Sequence, residues 1–270
     1  MDIALLRIQH CVNGRLDLSH LGLTELPPLP DGLIELVCMR NHLISLPPLP
    51  DGITVLLCAH NHLTSLPPLP HGLVQLDCSH NQLTSLPELP SFLETLSCDS
   101  NQLTFLPSLP LPLIYLSCMF NRLTTLPSLP SPLTMMSADC NQLTSLPEFP
   151  LYLTYLSCSC NQLTSLPSLP YKLRKLYCSS NLLEMMPELP STLVGLACVL
   201  PHNDKIYISN EMTPDVVGQL NRKNQEWMEY LSKGRCIERC STYYEELMCL
   251  RWHPDRVDYL CGMGYKLGDM

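Results

Sequence analysis

The chain has 270 residues, a formal net charge of −9, 46% hydrophobic residues and only 15% charged ones. Such an acidic balance argues against nucleic acid, whose phosphates need a basic field. Pro, Asn and Thr interrupt every leucine run, so nothing approaches the roughly 18 apolar residues of a membrane span, and the start MDIALLRIQHCVNGR makes a poor signal peptide.

In chain order, residues 1–30 read as an N-terminal cap with a degenerate first repeat. A twenty-residue unit then recurs in strict register through residues 31–200. Asp31 to Pro50 reads DGLIELVCMRNHLISLPPLP, and Asp51 to Pro70 reads DGITVLLCAHNHLTSLPPLP. A fixed period of this size marks a solenoid whose units bury their apolar edges only against their neighbours. The expected fold is an α/β solenoid, a leucine-rich repeat array of about nine 20-residue units with a parallel concave β-sheet and a polyproline-like convex side.

Within each unit, the segment Leu33–Cys38 alternates inward apolar and outward residues as a β-strand does. Fifteen cysteines suggest a disulfide scaffold until their positions are read. Cys38, Cys58, Cys78, Cys98, Cys118, Cys158, Cys178 and Cys198 all take the eighth, core-facing position, and Ala138 replaces them once. They read as small hydrophobes in a reducing, cytoplasmic compartment. Asn41, Asn61, Asn81, Asn101, Asn121, Asn141, Asn161 and Asn181 follow each strand. Their amides are expected to bond backbone in their own turn and the next one, forming a structural ladder. The Leu-Pro-x-Leu-Pro half excludes a helix and favours extended backbone. There Leu46 and Leu49 should point inward while Pro47, Pro48 and Pro50 stiffen the outer face.

Residues 201–270 differ, reading as a helical C-terminal cap or appendage. Thr213-Pro214-Asp215 has an N-cap, a proline at the first helical position and an acid in the first turn. Val216, Val217, Leu220, Trp227, Met228 and Leu231 recur at helical spacing up to Gly234. A second helix is expected from about Arg235 to Arg251, and a short turn between Pro254 and Gly262.

The unit and the opening Arg15–Pro30 resemble the bacterial LPX-type leucine-rich repeat effectors, the YopM and IpaH/SspH group. The resemblance covers about two thirds of the chain, with Cys here where those repeats carry Val or Ile. It implies binding of a host protein through the concave strand face. Some members add a ubiquitin-ligase domain with a catalytic Cys in a C-x-D motif. None of Cys236, Cys240, Cys249 or Cys261 begins such a motif, so ligase activity is not implied. The segment Cys240 to Leu260, with its Trp-His-Pro-x-Arg-Val core, resembles C-terminal segments of giant DNA virus proteins of amoebae. That resemblance implies a viral protein made in host cytoplasm.

Candidate binding residues gather on the strand face: Tyr115, Met119, Phe120, Met135, Tyr155, Tyr177 and Lys175. Exposed Tyr, Phe and Met on a rigid sheet suit interface anchoring. Lys172, Arg174 and Lys175 form the one dense basic cluster and read first as a solvated face. Cys58, His60 and His62, beside Cys78 and His80, have superficial metal-ligand spacing, but core cysteines and turn histidines should not converge. No metal or other cofactor is expected. Cys140 and Cys160 occupy the outer tenth position of adjacent units, within reach of a disulfide, and are expected reduced. No nucleophile has a base at a convergent position and there is no Gly-rich phosphate loop, so no catalytic residue is assigned. The expected function is non-catalytic recognition of a host or viral protein. The alternative is a substrate adaptor for a ubiquitin ligase recruited in trans by the tail.

Overall fold

The structure is a computed structural model that describes residues 2–11, 13–199, 206–209 and 213–232. The second helix expected near 235–251, the turn at 254–262 and the Trp-His-Pro segment lie outside the described residues. The chain divides into two compact units, Met1–Gln142 and Leu143–Met270.

The first unit opens with helix α1 (Asp2–Gln9) and continues through strands β1 (Arg15–Asp17), β2 (Glu35–Val37), β3 (Val55–Leu57), β4 (Gln75–Asp77), β5 (Thr95–Ser97), β6 (Tyr115–Ser117) and β7 (Met135–Ser137). Each strand pairs in parallel with the next, and every residue faces the one twenty places on, as in Leu36 to Leu56 to Leu76. Period and register are therefore the same number. α1 is not announced by the repeat pattern; it packs beside β1, where Arg7 Nη1 donates to the carbonyl of Asp17, the last strand residue, at 2.8 Å.

The second unit holds β8 (Tyr155–Ser157), β9 (Lys175–Tyr177), β10 (Gly195–Val199), β11 (Ile206–Ser209) and helix α2 (Pro214–Ser232). β8, β9 and β10 are parallel, whereas β11 returns antiparallel along β10, with Ala197 facing Ile208. The repeat pattern implies no such reversal. Its physical use is plain: it pairs backbone groups of β10 that a bare sheet edge would leave open to another chain.

One layer of side chains per repeat fills the core. Leu33, Leu36, Cys38 and Leu43, and their equivalents at Leu93, Leu96, Cys98 and Leu103, are wholly buried. A fully buried leucine contributes roughly 1.5–3 kcal/mol, so three such leucines per turn form the bulk of each repeat's stabilisation.

The Leu-Pro half departs from expectation at its end. Leu46 is buried, but Leu49 is only partly so, and the last proline turns inward in most repeats: Pro70, Pro90, Pro110, Pro130, Pro150 and Pro170 are all buried. A buried proline leaves no N–H without a partner. Its carbonyl is satisfied by the tight turn that follows, since Leu73 N–H donates to Pro70 at 3.1 Å and Leu93 N–H to Pro90 at 3.1 Å.

α2 begins as its sequence suggests, with Val216 N–H donating to Thr213 Oγ1 at 3.4 Å. Val217 and Leu220 are buried. Asn221 then imitates a strand neighbour: its Oδ1 accepts from Leu189 N–H at 2.9 Å and its Nδ2 donates to the Leu189 carbonyl at 3.0 Å. Asn224 Nδ2 donates to the Met186 carbonyl. These bonds fasten the helix to the Leu-Pro side of the last repeat.

Candidate functional site

The strand face is built on a turn that repeats almost atom for atom. After each strand the backbone ladder continues, because the eighth-position N–H donates to the following repeat, as Cys38 does to Leu57 at 2.8 Å. The tenth-position N–H does likewise, Arg40 to Ala59 at 3.0 Å and Ser100 to Met119 at 2.8 Å. Meeting both partners forces the tenth residue into the left-handed region: His20, Arg40, His60, His80, Ser100, Phe120, Cys140, Cys160 and Ser180 have φ between 51° and 59°. That conformation costs a residue with a Cβ about 1–2 kcal/mol.

The asparagine column completes the turn. Asn61 Nδ2 donates to the carbonyls of Cys38 and Cys58, both at 3.0 Å, while its Oδ1 accepts from Leu43 N–H at 3.0 Å. Asn41, Asn81, Asn101, Asn121, Asn141 and Asn181 repeat the arrangement, each donating across twenty-three residues to a preceding strand end. Asn161 donates to Cys158 at 3.1 Å and accepts from Leu143 N–H at 3.0 Å. The amides thus serve their own turn and the preceding one, not the following one that the sequence reading named. The strand-end carbonyl has lost its ladder partner at that point, and the previous repeat presents both groups that need bonds.

In the first unit the candidate residues lie at its C-terminal end. Tyr115 on β6 faces Met135 on β7, and Met119 and Phe120 occupy the turn after β6. Phe120 is 37% exposed and Met135 39%, while Tyr115 and Met119 are only partly accessible. Asp99 organises this corner and was missed. Ser117 Oγ lies 2.7 and 2.8 Å from its two carboxylate oxygens, and Met119 N–H donates to Oδ1 at 2.7 Å. Burial pushes the Asp99 carboxyl above the ordinary carboxylate range, against the lowering pull of these two donors. The available signal was an acid at the ninth position of one unit followed by a serine at the seventh of the next.

In the second unit, Tyr155 and Tyr177 meet edge to face with centroids 5.7 Å apart and planes at 62°. Lys175 faces Tyr155 on one side and Gly195 on the other. A Cβ at Gly195 would come 3.2 Å from Lys175 Cγ and 3.6 Å from the Tyr177 hydroxyl. The lysine stem and the tyrosine therefore lie across β10 where a glycine leaves room. At the turn entering the strands, Lys172 Nζ stands 4.2 Å from the Tyr152 ring centroid and 5.6 Å from that of Tyr171. Tyr152 is 53% exposed and Tyr171 60%, more than any of the tyrosines singled out on the strands.

The histidines do not converge on an ion. His60 and His80 stack with centroids 4.2 Å apart, His42 and His62 at 5.6 Å, and Cys58 and Cys78 are buried in the core. Among the described residues no group of three or more His, Cys, Asp or Glu is placed to hold a metal. The core thiols are chemically muted: burial pushes Cys38 up to about 12, and Cys58, Cys78, Cys98 and Cys118 are raised too. Cys140 and Cys160 are each partly exposed. No helix among the described residues is long and apolar enough to cross a membrane.

Short parallel strands at twenty-residue spacing, one buried leucine layer per turn and an asparagine column define a leucine-rich repeat protein. Among solved structures, the chain is similar to YopM, a leucine-rich effector protein from Yersinia pestis. The identity is 38% over 74% of this chain and 61% of that one, with a TM-score of 0.71. YopM from Yersinia enterocolitica is 37% identical over 74% of this chain and 50% of its own, with a TM-score of 0.64. The chain thus spans about half to three fifths of the length of these two proteins. No protein-family model and no curated protein matches it.

Proposed function

We propose that the chain is a non-catalytic recognition module that binds a host or viral protein through the outward strand face of its repeats. The observation that carries this is the exposure of Phe120 and Met135 beside Tyr115 and Met119, on backbone held rigid by ladder bonds and the asparagine column. A preorganised sheet loses little entropy on binding, and large side chains on it act as anchors. Tyr155, Tyr177 and Lys175 extend the same reading to the second unit. Similarity to a leucine-rich effector supports it. The viral attribution rests on the resemblance of residues 240–260 alone.

In the same reading residues 1–30 cap the start of the array, 31–200 form it, and 201–270 are a C-terminal cap whose helix α2 packs through Val217, Leu220 and Asn221. The ligase-adaptor alternative would place its docking element on the C-terminal tail, residues 201–270, of which 206–209 and 213–232 are described, and no observation favours it.

The test is capture of partners from eukaryotic host lysate, comparing the wild-type chain with Tyr115→Ala/Tyr155→Ala. A protein lost only in the double variant supports the strand face. Identical sets of captured proteins overturn it.

A further inference from the structure

We infer that the strand face of the second unit receives an acidic protein segment, one rich in Asp and Glu; the inference rests on the strand-face reading above. The whole chain carries −9, yet no Asp or Glu occurs between Glu148 and Glu184, and Lys172, Arg174 and Lys175 all fall in that interval. This is the reverse of the first unit, where Glu35, Asp77, Glu94, Asp99 and Asp139 stand on or beside the strands.

The cations are held ready. Arg174 and Lys175 are exposed, and the ion pairs recorded among the described residues, Arg7–Asp17 and Arg15–Glu35, involve neither. Their backbone is fixed at the entry to β9, where Arg174 N–H and Lys175 N–H share the Thr154 carbonyl at 2.8 and 3.1 Å. Lys172 is fixed over the Tyr152 ring, and the Lys175 stem lies over Gly195. A carboxylate arriving there meets positive charge on a stretch, 149–183, that carries no Asp or Glu of its own, which favours encounter and selects against basic partners. The rings of Tyr152, Tyr155 and Tyr177 flank these charges and give an arriving chain apolar surface beside each ion pair. Charge complementarity thus names the occupant: an extended acidic segment.

The experiment is fluorescence anisotropy of the full chain with a short labelled peptide of alternating glutamate and alanine. Controls are its lysine counterpart and a single-stranded oligonucleotide of equal length. Binding of the acidic peptide is expected to fall about tenfold in Arg174→Glu/Lys175→Glu and to weaken with salt. Arg174→Gln/Lys175→Gln should give a smaller loss, and Arg122→Glu in the first unit should give none. Circular dichroism and the melting temperature check that each variant folds. Equal affinity in the reversed variant overturns the inference, as does an oligonucleotide that binds as tightly as the peptide. If the peptide does not bind while Tyr115→Ala/Tyr155→Ala still loses its lysate partner, this inference falls and the strand-face reading stands.

Discussion

Asn61 reaches back across a repeat boundary to Cys38: its Nδ2 donates to the Cys38 carbonyl at 3.0 Å while its Oδ1 holds Leu43 N–H at 3.0 Å. One side chain therefore closes four backbone groups in two repeats, since it also donates to Cys58 at 3.0 Å and Ala59 at 3.3 Å. Cys38 and Leu43 are wholly inaccessible, so water cannot readily substitute. Each buried group left without a partner costs about 1–3 kcal/mol. Asn61→Ala is expected to lower stability by about 3 kcal/mol or more, read from urea denaturation. Gln82→Ala, at an exposed turn position, should stay within about 0.5 kcal/mol of wild type. Equal midpoints for the two variants would sink the ladder as a stabilising device.

The left-handed tenth position gives a prediction of opposite sign. Ser100 has φ 51°, and its N–H must point at Met119 whatever the side chain is. Glycine adopts this conformation freely but enters with more unfolded-state entropy, whereas a β-branched residue is strongly disfavoured. Ser100→Gly is expected to match or exceed wild-type stability by up to about 1 kcal/mol, and Ser100→Val to fall below it by about 1–2 kcal/mol. A valine variant as stable as the glycine variant would show that the turn relaxes in solution.

The eighth-position cysteines should be silent to reagents until the repeat opens. Cys58 and Cys98 are fully buried, and burial raises both thiols well above the ordinary range, so little thiolate exists to react. Alkylation of the native chain, read by peptide mass spectrometry, is expected to spare Cys38, Cys58, Cys78, Cys98 and Cys118 and to modify them in denaturant. Rapid native labelling of Cys58 would contradict the packing described here.

Much of this architecture was legible because a single number, the period, sets both sequence spacing and strand register. Leu36 and Leu56 are twenty apart in the chain and directly opposite in the sheet, so the core, the cysteine column and the asparagine column could be read without coordinates. What escaped depends on direction and reach. The tenth position holds His, Arg, Ser, Phe and Cys, with no glycine to announce a positive φ. Nothing local in Asn61 says whether its amide turns toward the repeat before it or after it. β11 runs against β8, β9 and β10, and a repeat pattern carries no information about where it stops. The binding face was legible as a set of outward positions, but not in its exposure. Tyr155 and Tyr177 spend ring surface on each other, while the more open Tyr152 and Tyr171 lie at turn positions that alternation does not rank.

Two titrating groups in the first unit bias stability in opposite senses. Asp99 has its carboxyl raised by burial, so the folded chain keeps a proton that the unfolded chain releases. Stability is therefore highest below the ordinary aspartate value and falls as pH rises from there to the raised value. His60 is lowered, first by desolvation, then by His80 and Arg40, with Asp77 opposing. The folded chain binds that proton less well, so stability is full above the ordinary histidine value of 6.5 and declines as pH drops through it, levelling beneath the lowered value. The His60 effect should be small because the ring is exposed. Asn at position 99 can still accept from Met119 N–H and cannot titrate. Asp99→Asn is thus expected to gain stability relative to wild type as pH rises from the ordinary aspartate value to the raised one, with the gain constant thereafter. His60→Gln should remove the decline just below neutrality. Melting temperatures across pH for the three proteins check both signs, and an Asp99→Asn difference that does not change with pH would mean that Asp99 titrates in the fold as it does in the open chain.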